Sequence, residues 1–373
     1  MTAAVPFAAF DRRFQDAADD LVDSVRDAAE SDLFILKDRC AALEERVAER
    51  TGARNAVACA NGTGALLLSL AALGVGPGDQ VLTPAFSYIS SASTIALLGA
   101  EPVFVDVDPA SMTLGADAVA AAIGPRTKAV VPVHLFSRYA PMSRIAAVAG
   151  EAGVPVVEDA AVALGSEVDG RSAGRWGATG VYSFFPAKPL GGCGDAGMVV
   201  TDDDALASLL RALRNHGQTA RFHHEHIGFN CRMDEVTAGF LLRRLDGLDG
   251  QLEARRTLAE RYRAALAGLG DRLVTPPPLT DGQSAYTYVV RAADREGLIA
   301  HLADRGVETK VYYPIPLPLQ PVFAGLGHRA GQFPGAERLA RECLALPLYP
   351  QMRESEVDAV AEAVRGFYGE VGP

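Results

Sequence analysis

Positive charge is in short supply in this 373-residue sequence. Thirty-five lysines and arginines stand against 46 aspartates and glutamates, a formal net charge of −11, whereas a phosphate backbone is gripped by basic faces. That balance argues against a nucleic-acid partner, and any anionic ligand must be held by a local basic cluster. Long apolar runs are missing as well: none approaches the roughly 18 residues of a membrane span, so no membrane partner is expected. The five cysteines, Cys40, Cys59, Cys193, Cys231 and Cys343, form no CxxC pair, which argues against zinc or redox work and favours reduced, mostly buried thiols. No metal site is expected. No internal repeat is found, and the glycine turn of "ACANGTGALLL" is neither a P-loop nor a GxGxxG turn. The opening "MTAAVPFAAFDRRFQ" has no positive n-region and meets Asp11 early, so a signal peptide is not expected and the cytoplasm is the expected location.

What is present is ordinary for a globular enzyme, with 49% apolar and 22% charged residues. The length exceeds that of a usual single domain. Short β-branched runs alternate with helical stretches: "NAVACA", "QVLTPAF", "PVFVDVD", "KAVVPVHLF", "VPVVEDAA", "GVYSFF" and "GMVVT" read as strands, "ALLLSLAALG", "SRIAAVAGEAG" and "DDALASLLRALRNHG" as helices. Strands this apolar predict a mostly parallel sheet buried on both faces. From Met233 the pattern reads as one long helix, with Gly247 or Gly250 as possible interruptions. After "TPPPLTDGQ" comes a compact α+β unit: strand "AYTYVVR", helix "DREGLIAHLADRG", strand "ETKVYYP" and helix "SEVDAVAEAVRGFY". The expected division is 1–245, with an N-terminal helical segment, and 246–373.

Four places could carry chemistry. Asn61-Gly62-Thr63-Gly64 joins a strand to a helix starting near Ala65, and the N–H groups of a helix start suit a phosphate; a plain connecting turn is the alternative. Phe86 and Tyr88 lie just past a strand's C-terminal end, where open α/β sheets collect ligands, so either could stack on a planar ring or simply pack in the core. Glu158 and Asp159 end a buried strand, where a carboxylate needs a partner; one should face a ligand or a base and the other solvent, or one caps the next segment. Lys188 follows Ser183 by five residues in "VYSFFPAKPLGGCGDAGMVVT". A lone lysine in a turn is ordinarily a surface residue, but a partly buried one becomes a nucleophile toward aldehydes. Pyridoxal phosphate asks for all four together: a lysine for its aldehyde, a carboxylate for its ring nitrogen, a flat neighbour, and donors for its phosphate.

The order of these segments resembles the DegT/DnrJ/EryC1/StrS family of sugar aminotransferases, fold-type I pyridoxal-phosphate enzymes. The likeness spans nearly the whole chain, from "LEERVAERTGARNAVACANGTGAL" through "VVEDAA", "YSFFPAKPLGGCGDAGMVVT" and "HIGFNCRMDE" to "KVYYPIPLPLQPVF" and "CLALPLYP". It implies a large domain with a mostly parallel central sheet flanked by helices, plus a smaller C-terminal α+β domain. It implies Lys188 as Schiff-base lysine and proton shuttle, and Asp159 as partner of the pyridinium nitrogen. By the same resemblance Tyr88 stacks on the ring, while Gly62, Thr63 and Ser183 hold the phosphate with Asn230 from the other subunit of a homodimer. Arg221, Tyr312 and Tyr313 are the substrate candidates. The activity implied is ping-pong transfer of an amino group from an amino acid, L-glutamate by expectation, to a keto nucleotide sugar, with the wording around the lysine closest to the branch that aminates 3-keto sugars.

Several positions depart from the family pattern. Val162 replaces an amide expected beside the cofactor's phenolic oxygen, and Gly64, Ser137, Arg138, Lys37, Ala196 and Pro318 are further differences. Two other readings stand beside the aminotransferase: a pyridoxal- or pyridoxamine-phosphate sugar dehydratase, against which Lys188 speaks because that branch carries histidine there, and a non-catalytic regulatory protein on the same fold.

Overall fold

The computed structural model describes residues 5–369 apart from residue 16. Among the described residues, seven strands form one central sheet. In three of them, Gln80–Pro84, Glu101–Val105 and Thr127–Val130, the first pairs in parallel with the other two. Four more, Val157–Asp159, Thr179–Ser183, Gly197–Thr201 and Asn55–Cys59, adjoin in that order. Parallel bridges Val130–Val156 and Val133–Asp159 join the two groups. Only Gly197–Thr201 runs against its neighbours.

Strand apolarity and burial agree with one another: every residue of Gly197–Thr201 is buried, as expected for a sheet covered on both faces. Helix Gly62–Ala72 packs on strands Thr179–Ser183 and Gly197–Thr201, and helix Asp38–Thr51 lies against Asn55–Cys59 and Glu235–Leu245. Because the strands ending at Cys59, Pro84, Asp159 and Ser183 share one direction, their C-terminal ends share one rim. Gly62, Tyr88, Asp159 and Ser183 therefore all arrive at the rim where open α/β sheets bind ligands.

The stretch from Met233 is two helices, Glu235–Leu245 and Leu248–Ala265, separated at Asp246 and Gly247. Asp234 starts the first by accepting a hydrogen bond from Thr237 N at 2.7 Å. Beyond them the chain builds a second core on an antiparallel sheet of Leu273–Val274, Tyr288–Ala292 and Cys343–Leu346. Helices Leu248–Ala265, Arg295–Ala303 and Glu354–Phe367 contribute to that core, in which Tyr262 and Tyr288 stack at 4.8 Å. Val5 pairs with Val307 and Ala9 is buried there too, so the N-terminal segment crosses to this side.

One expected strand is not formed. In "ETKVYYP" only Lys310 bridges to Ala345. The rings of Tyr312 and Tyr313 instead turn inward onto Phe136, at 6.2 and 6.1 Å, and side-chain burial replaces a continued ladder.

Candidate active site

The helix after Asn55–Cys59 begins at Gly62, three residues earlier than its apolar run suggests, because Asn61 caps it by accepting from Gly64 N at 2.7 Å. This leaves the N–H groups of Gly62 and Thr63 at the open end of the helix, next to Ser183. A β-carbon at Gly62 would stand 2.8 Å from Ser183 Cβ, so glycine is needed for that approach. At Gly64 a β-carbon would collide with Cys231 Sγ, which accounts for glycine at that departure from the family. The result is a cradle of backbone N–H groups and a hydroxyl, suited to a phosphate.

Both carboxylates of "VVEDAA" are buried, Glu158 at 0% and Asp159 at 5% exposure; the expectation that one faces solvent is not met. Glu158 is consumed internally. Its carboxylate accepts from Gly174 N and Trp176 N, each at 2.7 Å, and lies 2.8 Å from His134 Nε2. Since His134 Nδ1 accepts from Ala140 N at 3.1 Å, the ring proton sits on Nε2 and is donated to Glu158. Asp159 is left as the carboxylate with open capacity. Its backbone is fixed by Asp159 N to Pro132 O (2.9 Å) and His134 N to Asp159 O (3.0 Å), and its side chain accepts only from Ala161 N, at 3.1 Å. Burial raises its pKa, while that hydrogen bond and the charge of Lys188 oppose the rise.

Lys188 lies half-buried in a turn closed by Lys188 N to Phe185 O at 2.8 Å. Its Nζ sits 4.7 Å from the centroid of the Tyr286 ring. Burial lowers its pKa to about 8 against the pull of Asp159, so a useful fraction is neutral and nucleophilic near pH 7. Arg13 holds the turn from below, donating to Lys188 O at 2.6 Å and Pro189 O at 3.1 Å. Tyr88 is 57% exposed, with its ring 6.2 Å from that of Tyr313. Phe86 is buried and lies 5.9 Å from the same ring.

The structure thus brings Gly62 and Ser183 together with Thr63 beside them, sets Lys188 within reach of Asp159's charge, and groups Tyr88 and Tyr312 around Tyr313, which also feels Asp159. Among the described residues, Arg221 and Asn230 make no hydrogen bond or ring contact with that group, although Cys231 O, next to Asn230, accepts from Ala60 N at 3.3 Å beside the cradle turn. Arg221 lies in the exposed hairpin of Gln218–Ala220 and His223–His224, stacked on Phe222 at 5.1 Å. Asn230 is exposed and bridges to Asn215. Three residues of the site escaped sequence reasoning: His134, Tyr286 and Arg13. His134 and Tyr286 sit inside strand-like runs where nothing marks them, and Arg13 is 175 positions from the lysine it supports.

The residues present fit pyridoxal phosphate: a cradle for phosphate, one uncommitted buried carboxylate, one amine of lowered pKa and aromatic rings between them. A model of the DegT/DnrJ/EryC1/StrS aminotransferase family matches residues 15–365. The chain belongs to this family. Among similar proteins is the "Pleiotropic regulatory protein" of Geobacillus stearothermophilus, 41% identical, with 98% of each chain covered. The UDP-2-acetamido-2-deoxy-3-oxo-D-glucuronate aminotransferase of Pseudomonas aeruginosa is 40% identical over 89% of this chain and 91% of its own. The crystal structure of S. venezuelae DesV superposes with a TM-score of 0.95 at 36% identity, covering 99% of this chain and 100% of that one. Like other members, this DegT/DnrJ/EryC1/StrS aminotransferase has fold-type I architecture and pyridoxal 5′-phosphate as its cofactor.

Proposed function

We propose that this aminotransferase moves an amino group from an amino acid, L-glutamate, to the 3-keto group of a nucleotide-linked sugar, in two half-reactions that share one site. The observation that carries the reading is that the Lys188 amine, its pKa lowered by burial, lies within reach of the uncommitted buried carboxylate of Asp159. The 3-oxo sugar named for the Pseudomonas relative supports the acceptor class.

Pyridoxal phosphate, when bound, supplies the electron sink that lets the α-proton of an amino acid leave. Lys188 Nζ is the amine that would hold the cofactor's aldehyde, and as a neutral base it would carry the proton between the substrate's α-carbon and the cofactor's C4′. Asp159 keeps the ring nitrogen protonated through its negative charge. Glu158 has no part in that contact, because His134, Gly174 and Trp176 already fill it. Gly62, Thr63 and Ser183 would hold the phosphate, Tyr88 would cover the ring, and Tyr312 and Tyr313 would face the substrate. Asn230 completes the cradle of a second copy in a homodimer; its exposure and the 80% and 95% exposure of neighbouring Phe222 and Ile227 support that reading.

The test is spectral. L-glutamate added to the holoenzyme should deplete the visible absorbance of the aldehyde form, and a UDP-linked 3-keto sugar should restore it. Persistence of the visible band with glutamate and with other amino donors would reject the reading. The regulatory role in the name of the Geobacillus relative is not adopted, since Lys188 and Asp159 are both in place for chemistry.

A further inference from the structure

Behind the Lys188 turn lies a cavity of about 50 Å³, between the N-terminal segment and the second core. Arg13 and Arg255 line it, 5% and 2% exposed. Arg13 spends Nη2 on the carbonyls of Lys188 and Pro189, and Arg255 spends Nη1 on those of Tyr286 (2.8 Å) and Leu348 (3.1 Å). Among the described residues no carboxylate pairs with either. The charges acting on Arg13 are those of Arg255 and Arg244, both repulsive, beside the tyrosine Tyr286, and on Arg255 the group acting is again Tyr286. The Nε atoms of both guanidiniums are buried without a partner, as are Tyr349 OH and Gln351 Oε1 at the same cavity. Two buried cations that repel one another, with their Nε donors left over and no acid among the described residues, form a site short of one anion.

The cavity's position says which anion. Tyr286, whose ring lies under Lys188 Nζ, lines it, as do Ala187 and Tyr312. One water-sized group needs about 10–15 Å³ of such volume, so the space admits about three to five heavy atoms: enough for a carboxylate, too little for a diphosphate. We infer that this cavity is the subsite that holds a carboxylate of the amino-acid donor between Arg13 and Arg255. The inference rests on the amino-acid donor of the preceding section. It makes Arg13 a double contact, to the donor on one side and to the backbone of the reacting lysine on the other.

Glutarate, a dicarboxylate with no amine to react, tests it by calorimetric titration of the holoenzyme at fixed ionic strength. Glutarate should bind saturably, at least tenfold more weakly to Arg13→Gln and Arg255→Gln of equal cofactor content, and UDP should not displace it. Equal affinity in the variants, or displacement by UDP, which would make this a phosphate site of the nucleotide, overturns the inference. Should the variants fail to fold, wild-type crystals soaked in 3-bromopropionate decide: an anomalous bromine peak in this cavity supports the subsite, and its absence under conditions where the compound competes with glutarate overturns it. A normal glutamate half-reaction with no glutarate binding defeats the subsite alone. Arginine-dependent glutarate binding without any glutamate half-reaction supports a carboxylate site and counts against the donor reading instead.

Discussion

The Glu158 carboxylate and the His134 imidazole meet at 2.8 Å with both side chains shut away from solvent. Two backbone N–H groups, from Gly174 and Trp176, converge on the same carboxylate. This arrangement pins strand Val157–Asp159, and so fixes where Asp159 points. Removing the carboxylate strands three buried donors at once.

Glu158→Ala should therefore cost about 3–5 kcal/mol of stability, as for a buried charge network that loses one partner. Urea denaturation of the cofactor-free protein measures it. A loss below about 1 kcal/mol would show that the three contacts are not a structural anchor.

Lys188 gives a pH-dependent signature. Its pKa is depressed in the folded protein, from an ordinary 10.5 to about 8, so the unfolded chain holds the proton more tightly and the wild-type penalty is present below pH 8. Replacing it with Met should stabilise the cofactor-free protein at pH 7 by about 1–3 kcal/mol, the shift, which already contains the attraction of Asp159, converted at 1.36 kcal/mol per unit and reduced for solvent screening of a half-buried group. The gain should fade as pH rises from 8 to 10.5. Melting curves of both proteins across that range check the sign, and a gain that grows with pH would contradict a depressed pKa.

Gly64 and Cys231 should behave as a pair. A β-carbon at position 64 runs into Cys231 Sγ, so Gly64→Ala should destabilise by about 1–3 kcal/mol through overpacking. Cys231→Ala, by opening the space, should recover most of that in the double variant. A double-mutant cycle with no coupling would mean the glycine serves something other than this contact.

Much of this architecture was legible in the sequence. The strands stand out because a sheet covered on both faces needs continuous apolar runs, and the cradle stands out because glycines and Asn61 sit where a strand meets a helix. Partnerships formed across the fold were not legible. Nothing local tells Glu158 from Asp159; the difference is made by His134, Gly174 and Trp176, which come from two other segments. Arg13 is one charge among several in the N-terminal segment until the fold sets it under Lys188. Tyr312 and Tyr313 look like a strand because their β-propensity is high, and it is rings from distant segments, Phe7, Phe86, Tyr88 and Phe136, that they meet in the fold.

Arg221 tests the acceptor side. It sits on an exposed hairpin with His223 and His224 in an otherwise acidic chain, and the proposal is that its charge helps gather the nucleotide sugar. Arg221→Ala should raise the KM for the sugar severalfold and leave the rate of the glutamate half-reaction unchanged. Equal effects on both halves would assign the residue to folding or assembly instead.

The central claim is that Lys188 moves the proton while Asp159 sustains the electron sink. Stopped-flow absorbance of the holoenzyme mixed with L-glutamate tests it most directly, comparing wild type, Lys188→Ala and Asp159→Asn at matched cofactor content. Loss of the visible band should be abolished in Lys188→Ala and slowed by about two orders of magnitude or more in Asp159→Asn, in line with the loss of a general base and of the charge on the ring nitrogen. Depletion of the band at the wild-type rate in either variant would contradict the account.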